Sequence, residues 1–149
     1  MSMDNDQEVL ELEGKFKPAA ELGLQDDQYC GLIKTLAYME AGRLKHVPKQ
    51  CLDFVEGAPF TGHFNMGNWR VQAECGTICC IAGTAEILGG CCLRQYHGSD
   101  ELSKLFYPHH NNCLQGYNAT PRQAAVALRH YLETGKTDWH QAMSTPQFK

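Results

Sequence analysis

Apolar positions recur at helical spacing in several stretches of the chain. Tyr29, Leu32, Ile33, Leu36 and Met39 share one face of a predicted helix. Asp26 or Asp27 is expected to cap it, Gly42 to stop it in left-handed geometry, and Arg43 and Lys45 to suit the negative end of its dipole. The densest apolar run is Cys75-Gly-Thr-Ile-Cys-Cys-Ile-Ala-Gly-Thr-Ala-Glu-Ile-Leu-Gly-Gly, in which Ile78, Ile81, Ala85 and Leu88 repeat at three, four and three residues. With Thr77 as cap and Gly89-Gly90 as stop, the spacing predicts a helix over about 77–88. Its other positions are small, so it reads as a buried central helix, with Gly83 admitting a close backbone.

Ser99 begins a shorter helix that turns Leu102, Leu105 and Phe106 inward and must end before Pro108, because the residue before proline resists helical geometry. His109 to Tyr117 reads as polar loop. Thr120-Pro121-Arg122-Gln123 supplies a cap, a first-turn proline and a capping-box glutamine in order, ahead of the stripe Ala125, Leu128, Tyr131, Leu132 and a stop at Gly135. Trp139 is expected to fold back as an anchor. Gly14, Pro18 and Gly23 interrupt the segment before the first helix. Gly57, Pro59, Gly62 and Gly67 lie among Phe54, Phe60, Phe64 and Trp69, which predicts a short helix near Cys51–Val55 and little regular strand. The expected fold is therefore all-α: a compact single domain of four or five helices around the 77–88 helix, with an irregular aromatic-rich loop at 51–74. Residues 1–8 are expected to be a disordered acidic tail, and 9–149 one helical domain.

At 149 residues the chain is long enough to bury a core without staples. The apolar run Ile78–Ala82 is far shorter than a membrane span requires. The first fourteen residues hold five acids and no Lys or Arg, unlike an export signal, so a cytoplasmic protein is expected. Thirteen basic and 17 acidic side chains leave a net charge of −4, with no basic surplus for a nucleic-acid partner. No phosphate loop, serine nucleophile elbow or paired-carboxylate motif is present in the sequence.

The eight cysteines, at 30, 51, 75, 79, 80, 91, 92 and 113, are the compositional oddity. In a reducing compartment they are expected to be free thiols, most of them packed as small hydrophobes. The neighbours Cys79-Cys80 and Cys91-Cys92 are poorly placed to bridge, since so short a ring is strained. Two sharper chemistries compete with packing. Zinc could be held by Cys75 and Cys80 with Cys91 and His97, because the first pair has metal-ligand spacing; residues 79 and 80 point about 100° apart on a helix, so only one can join Cys75. A redox pair between Cys75 and Cys80 uses the same spacing. Alternatively Cys75, at a helix N-terminus where the dipole favours thiolate, is a candidate nucleophile with His63 as its imidazole.

The ordered set Phe64-Asn-Met-Gly-Asn-Trp69, Cys75-Gly-Thr-x-x-Cys80-Ile-Ala-Gly83, Leu105-Phe-Tyr-Pro108, Thr120-Pro-x-Gln-Ala-Ala125 and Thr134-Gly-Lys-x-Asp-Trp139 resembles a family of small uncharacterised bacterial and bacteriophage proteins. The resemblance runs from about Leu32 to Trp139 and implies a small cytosolic protein in a bacterial or phage setting, with no activity attached. More locally, Ala73-Glu-Cys75-Gly-x-x-Cys is similar to the nucleophile segment of bacteriocin-processing cysteine peptidases. Those place the cysteine near the start of the domain, with a strand-borne His and an Asp after it, whereas here 74 residues follow Cys75. The expected function is a non-enzymatic accessory or protein-interaction module without cofactor, a phage or mobile-element factor acting on a host protein. The alternatives are a thiol enzyme using Cys75 or a zinc module.

Overall fold

End signals and buried stripes place the helices. The structure is a computed structural model and describes residues 16–47, 60–66, 70–73, 76–93 and 100–144. Behind Pro18 stands a single turn, α1 (Ala19–Leu22). Helix α2 (Asp26–Glu40) buries Leu32, Ile33, Leu36 and Met39, with Tyr29 half-buried beside them. Its cap is Gln25 in place of either aspartate. The Gln25 N–H donates to the Gln28 side chain at 2.9 Å and the Gln25 side chain answers the Gln28 backbone, while Asp27 accepts from the same Gln28 N–H. Just past the end, Gly42 takes φ 73°, a conformation that costs glycine nothing.

Four short strands come next: β1 (Lys45–His46), β2 (His63–Phe64), β3 (Arg70–Ala73) and β4 (Gly76–Cys79). They form one sheet in the order β1-β2-β4-β3, parallel at the first two pairings and antiparallel at the last. The irregular reading of 51–74 is corrected here: 63–64 and 70–73 are strand, while the helix predicted near Cys51–Val55 lies outside the described residues. The predicted helix start at 77 is corrected too. Thr77 pairs with Gln72 and Ile78 with Val71, and helix α3 (Ile81–Gly89) begins only after Cys80, whose backbone is extended. Two β-branched residues favour the pleated surface, and pairing with β3 along 76–79 and with β2 at 78–79 gives the segment the ladder bonds that a longer helix would have supplied. Ile81 and Ala85 are fully buried, so the core-facing part of the predicted stripe holds.

Helix α3 packs along α2 with backbone against backbone. A Cβ on Gly31 would stand 2.4 Å from the Ala85 carbonyl oxygen, and one on Gly89 only 2.7 Å from the Gly31 Cα. On α3 this close backbone approach is made at Gly89.

Helix α4 (Asp100–Phe106) stops before Pro108 as expected; its predicted cap, Ser99, lies outside the described residues. The stretch read as polar loop winds into two 3-10 turns, Pro108–Asn111 and Leu114–Asn118. Helix α5 (Pro121–Thr134) matches its reading closely: Thr120 and Gln123 bond reciprocally, Gly135 stops it at φ 77°, and Ala125, Leu128, Tyr131 and Leu132 are buried. Trp139 opens the short α6 (Trp139–Met143) and is fully buried. The domain is mostly helical, with the small sheet leading into α3. Its two single-turn helices, α1 and α6, are too short to leave a periodic signature. Residues 1–8, read as the acidic tail, lie outside the described residues. No helix of the described residues is long and apolar enough to cross a membrane.

Candidate functional site

Of the candidate residues, Cys75 and His97 lie outside the described residues. Cys80 stands at the head of α3 with 2% of its surface exposed. Burial pushes its thiol up to about 11, although the N–H groups of Gly83 and Ala82 pull the other way. Desolvation thus outweighs the helix N-terminus, reversing the effect expected of a thiol in that place. Cys91 sits beyond the other end of α3, half-buried, its Sγ 3.6 Å from the Ala85 carbonyl oxygen. Its thiol is also pushed up to about 11, first by burial and then by the charges of Asp27 and Glu86. A nine-residue helix is about 13 Å long, and zinc holds each sulfur at about 2.3 Å. Cys80 and Cys91 are therefore not brought to one ion, and the proposed metal quartet is split between its two described members.

His63 is half-buried on β2, opposite Ile78 of β4, and its Nδ1 pairs with Thr61 Oγ1 at 3.0 Å. Cys79 and Cys113 are buried and Cys92 is exposed. Two units above its ordinary value, the Cys80 thiol carries about 100-fold less thiolate at neutral pH. Among the cysteines of the described residues, iodoacetamide added at pH 7.5 is thus expected to label the exposed Cys92 first, and Cys80 about 100-fold more slowly until denaturant is added, as read by peptide mass spectrometry. Fast labelling of Cys80 in the folded protein would mean that its thiol is not buried.

The sequence reading passed over two polar constellations. On the 3-10 turns, the Tyr117 hydroxyl bonds to His109 Nδ1 and Ser103 Oγ bonds to His110 Nδ1 at 2.7 Å, with the two imidazoles 4.3 Å apart between centroids. Partial burial, with Tyr107 and Cys80 close by, pushes the Tyr117 phenol up. These two exposed rings are fixed by hydroxyls, which the reading of 109–117 as solvated loop did not anticipate.

The larger feature is a groove of about 800 Å³ between the C-terminal end of α2, the chain leading into β1, and α5. Met39, Leu44 and Ala125 are buried at its floor and Val126 is half-buried. Arg129 crosses it as a fork: Nε and Nη2 donate to the two Glu40 carboxylate oxygens at 2.8 and 2.6 Å, and Nη1 donates to Glu133 at 3.1 Å. The Glu40 bonds, then those to Glu133, hold the guanidinium further above its already high range. Arg122, exposed, and His130 also line the groove, and neither has a salt-bridge partner among the described residues. His46, from β1, completes this set, and burial lowers its pKa. The signal for this face was present in α5 as a second stripe, Arg122, Val126, Arg129 and Glu133, at spacings of four, three and four beside the buried one.

Compared with known proteins, the chain matches no family model, no curated protein and no solved structure. Chemically, an apolar floor with a guanidinium and imidazoles along its edges suits a ligand that is greasy on one side and acidic on the other.

Proposed function

We propose that the chain is a non-enzymatic protein-interaction module whose binding face is the groove between α2 and α5. The observation that carries this reading is the groove itself. Its volume lies within the range of ligand sites, its floor is apolar, and Arg122, with His46 and His130, offers cationic and hydrogen-bonding groups at its edges. Arg129 is spent on Glu40 and Glu133, which fixes the spacing of α2 and α5 and leaves recognition to the other three. The partner is an acidic, amphipathic segment of another protein, laid along α5 in the manner of helix-in-groove recognition. The setting we propose is the bacterial cytoplasm, where a phage or mobile-element factor would meet a host protein.

Displayed peptide libraries selected on the purified chain are expected to yield segments that combine Leu or Ile with Asp or Glu. Their affinity is expected to fall at least tenfold (about 1.4 kcal/mol) on Val126→Arg, which fills the groove, and on the exposed Arg122→Glu, which leaves the core untouched. Selected peptides that bind both variants as well as the parent would overturn the reading.

A further inference from the structure

We propose that His109 and His110, on the first 3-10 turn, form a two-histidine site for a late first-row divalent metal ion such as Ni2+. The pair lies outside the groove, and nothing in the site depends on the interaction reading. Three observations converge. Both imidazoles are exposed, and each has one ring nitrogen already committed. Nδ1 of His109 bonds to the Tyr117 hydroxyl, and Nδ1 of His110 bonds to Ser103 Oγ at 2.7 Å. Neither Nε2 has a bonding partner among the described residues. A hydroxyl oxygen that accepts the Nδ1 proton leaves a lone pair on Nε2, which is how metal-binding histidines are commonly oriented.

The second observation is the spacing of the rings, whose centroids are 4.3 Å apart. With metal–nitrogen bonds of about 2.1 Å and the ring centre about 1.1 Å further on, two imidazoles on one ion stand about 4.5 Å apart at a right angle and about 5.2 Å apart at the tetrahedral angle. The pair is spaced for neighbouring positions on an octahedral or square ion and is closer than tetrahedral zinc requires. Imidazole donors in that geometry suit Ni2+ or Cu2+. No third His, Cys, Asp or Glu joins the pair among the described residues, so water fills the remaining positions. The third observation is how the turn is held. Asn111 Oδ1 accepts the backbone N–H of the fully buried Trp139 at 2.7 Å, and the His110 N–H donates to the Tyr107 carbonyl at 2.8 Å. The turn is thus anchored to the core, and the two rings meet an ion with little left to order.

The test titrates Ni2+ into the purified full-length chain, kept reduced, in a calorimeter; Cu2+ is avoided because it would oxidise an exposed thiol such as Cys92. One ion per chain is expected. Affinity is expected to fall at least tenfold in His109→Gln and in His110→Gln, both exposed positions where folding is undisturbed. Tyr117→Phe keeps its ring but removes the oxygen that orients His109, and Ser103→Ala does the same at His110. Each is expected to weaken Ni2+ by about tenfold at a temperature where circular dichroism shows parent and variant equally folded. Zn2+ is expected to bind more weakly than Ni2+; the reverse order would overturn the right-angle assignment. Ni2+ affinity unchanged in either histidine variant, or no saturable binding to the parent, would overturn the site. Loss of binding in Cys92→Ser with the histidine variants unaffected would overturn it as well, by placing the ion on a thiol.

Discussion

Gly31→Ala is expected to destabilise the protein by about 3 kcal/mol, at the upper end of what overpacking costs in a well-packed core. In a domain of this size that is roughly 6–12 °C in Tm. Gly31 sits inside α2, where alanine would by itself be favoured by about 1 kcal/mol through helix propensity, so the sign of the change is diagnostic. The new methyl would stand 2.4 Å from the Ala85 carbonyl oxygen and 3.2 Å from its carbon. Both belong to the backbone of α3, and no rotamer can move them aside. The helices must separate, and separating them loosens the seam on which Leu32, Ile33, Ile81 and Ala85 are buried. Gly89→Ala is expected to behave alike, since its Cβ would meet the Gly31 Cα at 2.7 Å and the Asp27 oxygen at 2.8 Å. Urea titration of the two variants provides the measurement; an increase in midpoint for either would mean that the α2–α3 crossing is elsewhere.

That crossing also shows where the sequence was legible. Helix ends written in side-chain chemistry could be read directly: Thr120 with Gln123, Gly135 after α5, Gly42 after α2 and the Pro108 barrier after α4. Burial along α2 and α5 followed from period alone. The sheet did not, because its strands run two to four residues and draw their partners from distant parts of the chain, so that no local alternation marks them. Residues 76–79 show the conflict plainly. Ile78 fits the helical repeat of Ile81, Ala85 and Leu88, yet it pairs with both His63 and Val71. A short apolar run satisfies either period, and tertiary partners decide. The groove was hidden for a related reason. Arg129, Glu40 and Glu133 look like a solvated face when read singly, and the Arg129–Glu40 fork spans 89 residues of sequence. The cysteines cluster about α3, where burial leaves the Cys80 thiol protonated, whereas the groove is lined by the opposite end of α2 and by α5.

Trp139→Ala is expected to cost about 3–5 kcal/mol, the usual loss for a large aromatic removed from a core. Volume is only part of it. Trp139 is fully buried, and its indole N–H donates to the carbonyls of Lys104 at 3.0 Å and Leu105 at 3.2 Å. These are last-turn carbonyls of α4, which a helix cannot satisfy from within. Its backbone N–H donates to Asn111 Oδ1 at 2.7 Å, and its ring lies against Gly116, where an added Cβ would meet Cδ2 at 3.2 Å. The side chain thus ties α6 to the end of α4 and to the second 3-10 turn, and the backbone N–H ties it to the first. Trp139→Phe separates the contributions: it keeps most of the ring but strips the indole donor, and is expected to cost about 1–3 kcal/mol for the carbonyls left without it. Thr137 secures the same joint from the other end of α4, its N–H on Glu101 Oε1 at 2.7 Å and its Oγ1 on the Glu101 carbonyl at 2.6 Å. Because the two residues clamp one helix, Trp139→Phe and Thr137→Ala are expected to cost less together than the sum of the single losses, by about 0.5 kcal/mol or more. Strict additivity in urea would mean that the two ends of α4 are held independently.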